Sequence, residues 1–101
     1  MAELVVIYKT PTDPAAFDTY YAETHIPLAK KIPGLKKYQV SRGAVAGPGG
    51  SAVHLVATLS FDSVAAIEAG LGSPEGQAAA GDVPNFATGG ADIIFYDTKE
   101  V

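Results

Sequence analysis

Hydrophobic and polar residues alternate along this chain in stretches that predict six elements, in the order strand, helix, strand, strand, helix, strand. Residues 4–8 form an unbroken β-branched and aromatic run, which predicts a first strand with two apolar faces. Residues 35–42 and 52–61 predict a hairpin closed by a glycine-rich loop. Residues 91–98, with Ile93, Ile94, Phe95 and Tyr96, predict the last strand.

Two helical regions lie between these strands. Asp13 suits the N-cap and Pro14 the first position of a helix that we expect to end at Leu28 or Lys30. Pro27 falls inside that pattern, and we expect it to kink the helix or end it early. Asp62 or Ser63 is expected to cap a second helix over residues 64–71. A short helix to about residue 80 and an irregular segment over 81–90 complete the prediction.

This element order predicts an α+β fold, the ferredoxin-like βαββαβ plan with an antiparallel four-stranded sheet. Both helices of that plan cover one face of the sheet, yet the first and last strands are apolar on both faces. A second copy packed sheet to sheet would cover the other face, so we expect a homodimer. The length of 101 residues predicts a single domain over residues 1–101.

Composition excludes several classes of partner. The formal net charge of −4 argues against nucleic acid, whose binding depends on neutralising phosphates. No apolar run reaches the roughly 20 residues of a membrane span. The amino-terminal residues lead directly into a strand without a secretion signal, so we expect a cytoplasmic protein. There is no cysteine, and the two histidines lack the spacing of a metal site, so no metal is expected.

His25 is the first candidate for chemistry. It lies on the same helical stripe as Phe17 and Tyr21, so it is expected to face the sheet, where an imidazole could transfer protons near neutral pH. The alternative is a histidine satisfied by a hydrogen bond at the edge of the core. Asp82 could orient the imidazole and select its tautomer, or it could cap the turn before Pro84. A cavity of about 300–1,000 Å³ beside His25 would indicate a ligand site.

Aromatic side chains are the candidates for the wall of that site. Tyrosine combines an apolar ring with a polar group, which suits an aromatic ligand. The expected substrate-binding residues share this chemistry or the inward stripe of the helix; they are Tyr8, Phe17, Tyr21 and Tyr38. His54 is predicted to lie on the more polar face of the third strand, opposite the face that carries Val53 and Leu55. Arg42 is predicted to be an exposed arginine, although it could bind a carboxylate.

Several motifs together resemble a known family. They are the strand ending Val6-Ile7-Tyr8-Lys9, the helical pattern Phe17-x-x-Tyr20-Tyr21-x-x-x-His25-x-Pro27-Leu28, Pro33-Gly34-Leu35, Ser73-Pro74-Glu75-Gly76 and Asp82-Val83-Pro84-Asn85-Phe86. In this combination the chain resembles, over nearly its whole length, the EthD-like family of the dimeric α/β-barrel superfamily. The EthD name comes from an operon for degrading a fuel ether.

This resemblance implies a homodimeric barrel with a pocket between sheet and helices in each protomer. Families with the same architecture include cofactor-independent oxygenases, polyketide cyclases, isomerases and haem-degrading enzymes. We therefore expect a small apolar or aromatic ligand and no cofactor, with His25 as a haem ligand in a minor alternative. The expected function is a cofactor-independent oxygenase, isomerase, or cyclase or dehydratase. The alternative is an accessory protein that carries a ligand for a partner enzyme.

Overall fold

The computed structural model describes all 101 residues as one antiparallel sheet with helices on one of its faces. Its strands are β1 (Ala2–Lys9), β2 (Lys37–Val40), β3 (Val53–Phe61) and β4 (Ala91–Asp97). They lie in the order β2-β3-β1-β4, and all three pairings are antiparallel. This is the ferredoxin-like plan that the element order predicts. The sheet of the protomer is open and does not close into a barrel.

The first helical segment is continuous but changes its winding. It begins as α1 (Pro14–Tyr20), passes through a π turn (Tyr21–His25) and ends as α2 (Ile26–Ala29). The carboxylate of Asp13 accepts a hydrogen bond from the amide of Ala16 and caps α1, as predicted. The region ends near Gly34, whose φ of +85° is a left-handed conformation that favours glycine.

The second helical region comprises α3 (Val64–Gly72), α4 (Pro74–Asp82) and a 3₁₀ turn (Val83–Asn85). Ser63 caps α3, and Ser73 caps α4 by accepting from the amide of Gly76 at 3.0 Å. The helix α4 continues to Asp82, two residues beyond the predicted end. Asp82 therefore lies at a helix terminus and not in an irregular segment.

Each strand alternates between the two faces of the sheet. Along β1 the side chains of Leu4, Val6 and Tyr8 are buried under the helices, and Val5 and Ile7 point to the opposite, open face. The register carries this alternation onto β4, where Ile94 lies opposite Val5. The buried residues of β1 and β3 form the centre of the core with Phe17, Tyr21, Ile67 and Phe86.

The strand β4 is the least covered element of the sheet. Its four large apolar residues are between 40% and 50% exposed; they are Ile93, Ile94, Phe95 and Tyr96. Ile94 and Tyr96 lie on the open face, whereas Ile93 and Phe95, paired with Val6 and Leu4, lie on the helical face. A contiguous apolar strand of this kind is typical of an interaction surface. No helix in the structure has the length and apolar character needed to cross a membrane.

Candidate functional site

The π turn positions the candidate histidine. In this turn the amide of Ile26 donates to the carbonyl of Tyr21, five residues earlier. Pro27 follows immediately and has no N–H to complete an α-helical bond, so the local sequence favours irregular winding here. Tyr21 and His25 are both buried, with 4% and 5% of their surface exposed. Single π turns inside α-helices occur frequently at functional sites.

His25 and Asp82 form a buried pair. The Nδ1 atom of His25 lies 3.0 Å from Oδ2 of Asp82, and 57 residues separate the two along the chain. The other carboxylate oxygen accepts hydrogen bonds from the Tyr20 hydroxyl at 2.6 Å and from the Asn85 amide at 3.0 Å. Burial acts to raise the pKa of Asp82, but these three hydrogen bonds outweigh it and lower the pKa. The carboxylate therefore stays ionised.

The second ring nitrogen of His25 is directed away from Asp82. Its Nε2 atom lies 3.5 Å from the hydroxyl of Tyr8, at the outer limit of a hydrogen bond. Burial lowers the pKa of His25, and the neighbouring Asp82 counteracts only part of that effect. A neutral ring that donates from Nδ1 to Asp82 keeps a lone pair on Nε2. The arrangement can therefore accept a proton at Nε2.

Two further phenols lie beside this pair. The hydroxyl oxygens of Tyr21 and Tyr38 are 2.5 Å apart and share one hydrogen bond. Tyr38 belongs to β2, so this bond joins the edge of the sheet to the π turn. Burial is the main cause that raises the pKa values of Tyr8, Tyr21 and Tyr38. All three phenols are therefore neutral and can donate hydrogen bonds.

A cavity of about 140 Å³ opens between the sheet and the helices at these side chains. Four candidate residues contribute to its wall; they are Tyr8, Tyr21, His25 and Tyr38. Most of the remaining wall is aliphatic, including Leu4, Val6, Leu59, Leu71 and Ile93. The volume is below the range of about 300–1,000 Å³ expected for a drug-sized ligand. An apolar cavity of about 150 Å³ accommodates benzene, so this one has the size of a single ring.

Phe17 does not line the cavity, which corrects its predicted place in the wall. Its ring stacks parallel to that of Tyr21 at 5.7 Å and meets Tyr8 edge-on at 5.4 Å. One turn separates Phe17 from Tyr21, and the intervening ring shields it from the cavity. Phe17 therefore supports two wall residues from behind.

Three residues near the site were not chosen from the sequence. Tyr20 and Asn85 hold the carboxylate of Asp82, and the ring of Phe86 lies 4.7 Å from that of His25. Asn85 and Phe86 belong to the Asp82-Val83-Pro84-Asn85-Phe86 motif, so this motif could have indicated both residues as part of the site. Tyr20 neighbours Tyr21 on the helix, and only the fold reveals which of the two reaches Asp82.

The sequence predicted His54 on the face of the sheet opposite the helices. In the structure it lies on the helical side instead. The register of β1 and β3 shifts between Tyr8, which pairs with Leu55, and Lys9, which pairs with Val53. This bulge turns His54 toward α1, where its Nε2 lies 2.7 Å from the carboxylate of Asp18. His54 also contacts the ring of Phe17 edge-on at 4.8 Å. His54 therefore connects β3 to α1 through these two contacts.

The residues of the site do not fit the cofactors considered. No cluster of three or more histidine, cysteine, aspartate or glutamate side chains is arranged to hold a metal ion. A porphyrin has four pyrrole rings, and a cavity sized for one benzene ring is too small for it. Haem therefore does not fit this site.

Comparisons with known proteins agree with the fold and the resemblance. The EthD domain matches residues 9–90. An uncharacterized 11.0 kDa protein of the thcB-thcC intergenic region of Rhodococcus erythropolis is 38% identical over 101 residues, covering all of this chain and 98% of that protein. The crystal structure of an EthD family protein from Bacillus halodurans is 32% identical, with a TM-score of 0.89, and the match covers 98% of this chain and 99% of that one.

More distant structures share the fold alone. SnoaB from Streptomyces nogalater, a cofactor-independent oxygenase, is 17% identical with a TM-score of 0.66, over 99% of this chain and 94% of that one. Proteins described as dimeric and ferredoxin-like, from Bacteroides fragilis and Thermobifida fusca, have TM-scores of 0.66 and 0.70. Their identities to this chain are 19% and 13%, and the matches cover 96% of this chain in both cases and 95% and 90% of those chains.

Proposed function

Because this chain belongs to the EthD family, we propose that it binds a small apolar or aromatic molecule in the cavity between helix and sheet and transfers protons there with His25, without a bound cofactor. The observation that supports this most is the orientation of His25. Its Nδ1 donates to the ionised Asp82, its Nε2 lies 3.5 Å from the Tyr8 hydroxyl, and His25 and Tyr8 both line an apolar cavity. A base fixed in one tautomer and facing a ligand-sized space is the usual arrangement for general acid–base catalysis.

The roles of the neighbouring residues follow from their contacts. His25 is the proposed general base, and Asp82 orients the ring and stabilises the imidazolium that forms when Nε2 accepts a proton. Tyr8, Tyr21 and Tyr38 bind the ligand through their rings and hydroxyl groups. A cofactor-independent isomerase, cyclase or dehydratase, or oxygenase could use this arrangement, since each begins by moving a proton on the ligand.

We further propose that the protein is a homodimer whose open sheet faces pack together. The open face carries Val5, Ile7, Ile94 and Tyr96, and partial exposure of such a strand is costly in a monomer. Glu3 lies on the same face; one of its carboxylate oxygens accepts from Ser60, and the other is buried without a partner. An interface could supply that partner. The dimeric, ferredoxin-like relatives support the same assembly.

A carrier without turnover is the second candidate. It is favoured by the wall of the cavity, in which fourteen of sixteen residues are hydrophobic. Most of this wall can bury an apolar ligand but has no group that transfers protons. The two candidates differ in what happens to a bound acidic proton. An enzyme with His25 as base should remove it, whereas a carrier should leave it in place.

Binding is tested first, by titrating isotope-labelled protein with phenol and following amide chemical shifts. Ala79 is buried and lines the cavity, whereas Ala78 on the same helix is exposed and does not. Ala79→Leu should fill the cavity and weaken phenol binding by at least about tenfold, equivalent to 1.4 kcal/mol. Ala78→Leu is the matched control and should bind normally. Equal affinity in the two variants would contradict the proposed site.

Proton transfer is then tested with para-nitrophenol, whose ionised form is yellow. At equal pH, the wild type should show a larger yellow fraction of bound para-nitrophenol than His25→Gln does, because only the wild type has a proton acceptor beside the phenol. His25→Gln should bind para-nitrophenol in its colourless form. His54→Gln, in the exposed pair, should behave as wild type. Colourless binding by the wild type would favour the carrier.

A further inference from the structure

The hydroxyl pair of Tyr21 and Tyr38 is incompletely used. Each hydroxyl has one proton; the two hydroxyls share a short hydrogen bond, and Tyr21 has a longer hydrogen-bond contact with the hydroxyl of Tyr8. When Tyr21 donates to Tyr38, the Tyr38 proton has no acceptor; when Tyr38 donates to Tyr21, the Tyr21 proton has only the longer contact with Tyr8. Both side chains line the cavity, so the second proton of the pair is available to a ligand. Burial keeps both phenols neutral, as described above, so the pair acts as a donor.

The donor pair lies close to the base. The rings of Tyr21 and His25 pack directly against each other with centroids 5.2 Å apart, and both line the cavity. The Tyr8 hydroxyl lies 3.5 Å from Nε2 of His25. A hydrogen bond of this length is weak, so a ligand can replace it. The cavity thus combines a proton acceptor and a hydrogen-bond donor within one apolar space. This combination is the requirement for removing a proton next to a carbonyl group.

Resting on the proposed function, we infer that the site takes an uncharged single-ring carbonyl compound and catalyses its enolisation. The carbonyl oxygen accepts a hydrogen bond from the Tyr21–Tyr38 pair. The Nε2 atom of His25 removes a proton from the carbon beside the carbonyl, the electron pair of that C–H bond moves to form the enolate, and the imidazolium is balanced by Asp82. Return of the proton to the same carbon gives exchange, and return to a different conjugated carbon gives isomerisation. No oxidant or reductant is consumed.

Size and charge restrict the ligand class. The volume of about 140 Å³ admits a single ring. The cavity wall contains no lysine or arginine, and the ionised Asp82 lies directly behind His25. A carboxylate or phosphate on the ligand would therefore be buried without a counter-charge, which is strongly unfavourable. Neutral ketones satisfy both restrictions.

The test is hydrogen–deuterium exchange of cyclohexanone and cyclopentanone in deuterated buffer, followed by proton NMR. Wild-type protein should accelerate loss of the signals from the hydrogens beside the carbonyl, relative to buffer. The double variant Tyr21→Phe/Tyr38→Phe preserves both rings and removes both hydroxyl donors, and it should reduce the acceleration by about 10²–10³-fold. His25→Gln should reduce it by about 10²–10⁴-fold. His54→Gln is the control and should exchange at the wild-type rate.

The outcomes separate this inference from the proposed function. If phenol binds in the cavity but both ketones exchange at the buffer rate, the enolisation inference is wrong and the binding function stands. If phenol does not bind at all, the proposed function itself fails. An unchanged rate in the double variant Tyr21→Phe/Tyr38→Phe, with phenol binding intact, would overturn the assignment of the donor pair.

Discussion

The Oδ2 atom of Asp82 lies 3.0 Å from Nδ1 of His25, and both side chains are more than nine-tenths buried. Asp82 ends a helix, and the π turn places His25 opposite it. The contact selects the imidazole tautomer with a free Nε2. The tautomer in turn determines whether a ligand in the cavity meets a proton acceptor or a donor.

Asp82→Asn should abolish proton transfer while leaving the fold intact. An asparagine amide can donate to Nδ1 and so favour the wrong tautomer, for which a loss of about 10²–10⁴-fold in rate is expected. Replacing the acceptor of these hydrogen bonds should also cost about 1–3 kcal/mol of unfolding free energy. Nitrogen NMR shifts of His25 report the tautomer, and thermal melting reports the stability. Asp18→Asn is the control, because the exposed pair with His54 should contribute at most about 1 kcal/mol.

Unfolding free energy should fall as the pH is lowered below about 6.5, the ordinary pKa of histidine. Burial makes the pKa of His25 lower in the folded state than in the unfolded state, so the unfolded chain binds more protons in this window. Stability therefore rises with pH there and is lost on acidification, until the pH passes below the folded-state pKa. Melting temperatures across this window test the prediction. The slope should be smaller in His25→Gln than in wild type or His54→Gln.

The Tyr21–Tyr38 hydrogen bond should appear as an energetic coupling between the two phenols. Removing one hydroxyl leaves the other buried without its partner, so each of Tyr21→Phe and Tyr38→Phe should cost about 1–2 kcal/mol. The double variant should cost less than the sum of the two single variants. Urea unfolding of all four proteins gives the coupling energy. Additive costs would show that the 2.5 Å contact contributes nothing to stability.

Ile94→Glu should convert the proposed dimer into a monomer. The residue is half exposed on the open face of the sheet, and a charge there would have to be desolvated on association. Sedimentation of the wild type should give about twice the mass of the variant. Ala15→Glu adds the same charge on an exposed position of α1 and should remain dimeric. A monomeric wild type at micromolar concentration would refute the proposed assembly.

Gly76→Ala should destabilise the contact between α3 and α4. A Cβ atom at this position would lie 2.0 Å from the backbone oxygen of Gly70, so the helices would have to separate. The expected cost is about 1–3 kcal/mol. Gly81→Ala is the matched change in the same helix, with open space around its Cβ atom, and should stabilise by up to about 1 kcal/mol. Comparing the two melting temperatures isolates the packing effect from helix propensity.

Local chemistry in the sequence determined the elements of this fold. The β-branched run of β1, the capping residues Asp13 and Ser63, and the Pro33-Gly34 turn each act over a few residues, so their effects are readable without the rest of the chain. The element order then restricted the topology to a ferredoxin-like sheet. The helical stripe also indicated that Tyr21 and His25 face inward, because helical spacing alone decides which residues share a face.

Contacts between distant segments were decided only by the tertiary structure. Phe17 shares the inward stripe with Tyr21, yet packing places it behind the cavity. The bulge opposite Tyr8 turns His54 toward α1, and one shifted residue is enough to reverse the face of a strand. The hydrogen bonds of Asp82 with Tyr20 and His25, and that of Tyr21 with Tyr38, join residues from separate elements. Periodicity assigns a side chain to a face, but only the packing of helices on the sheet brings these groups to bonding distance.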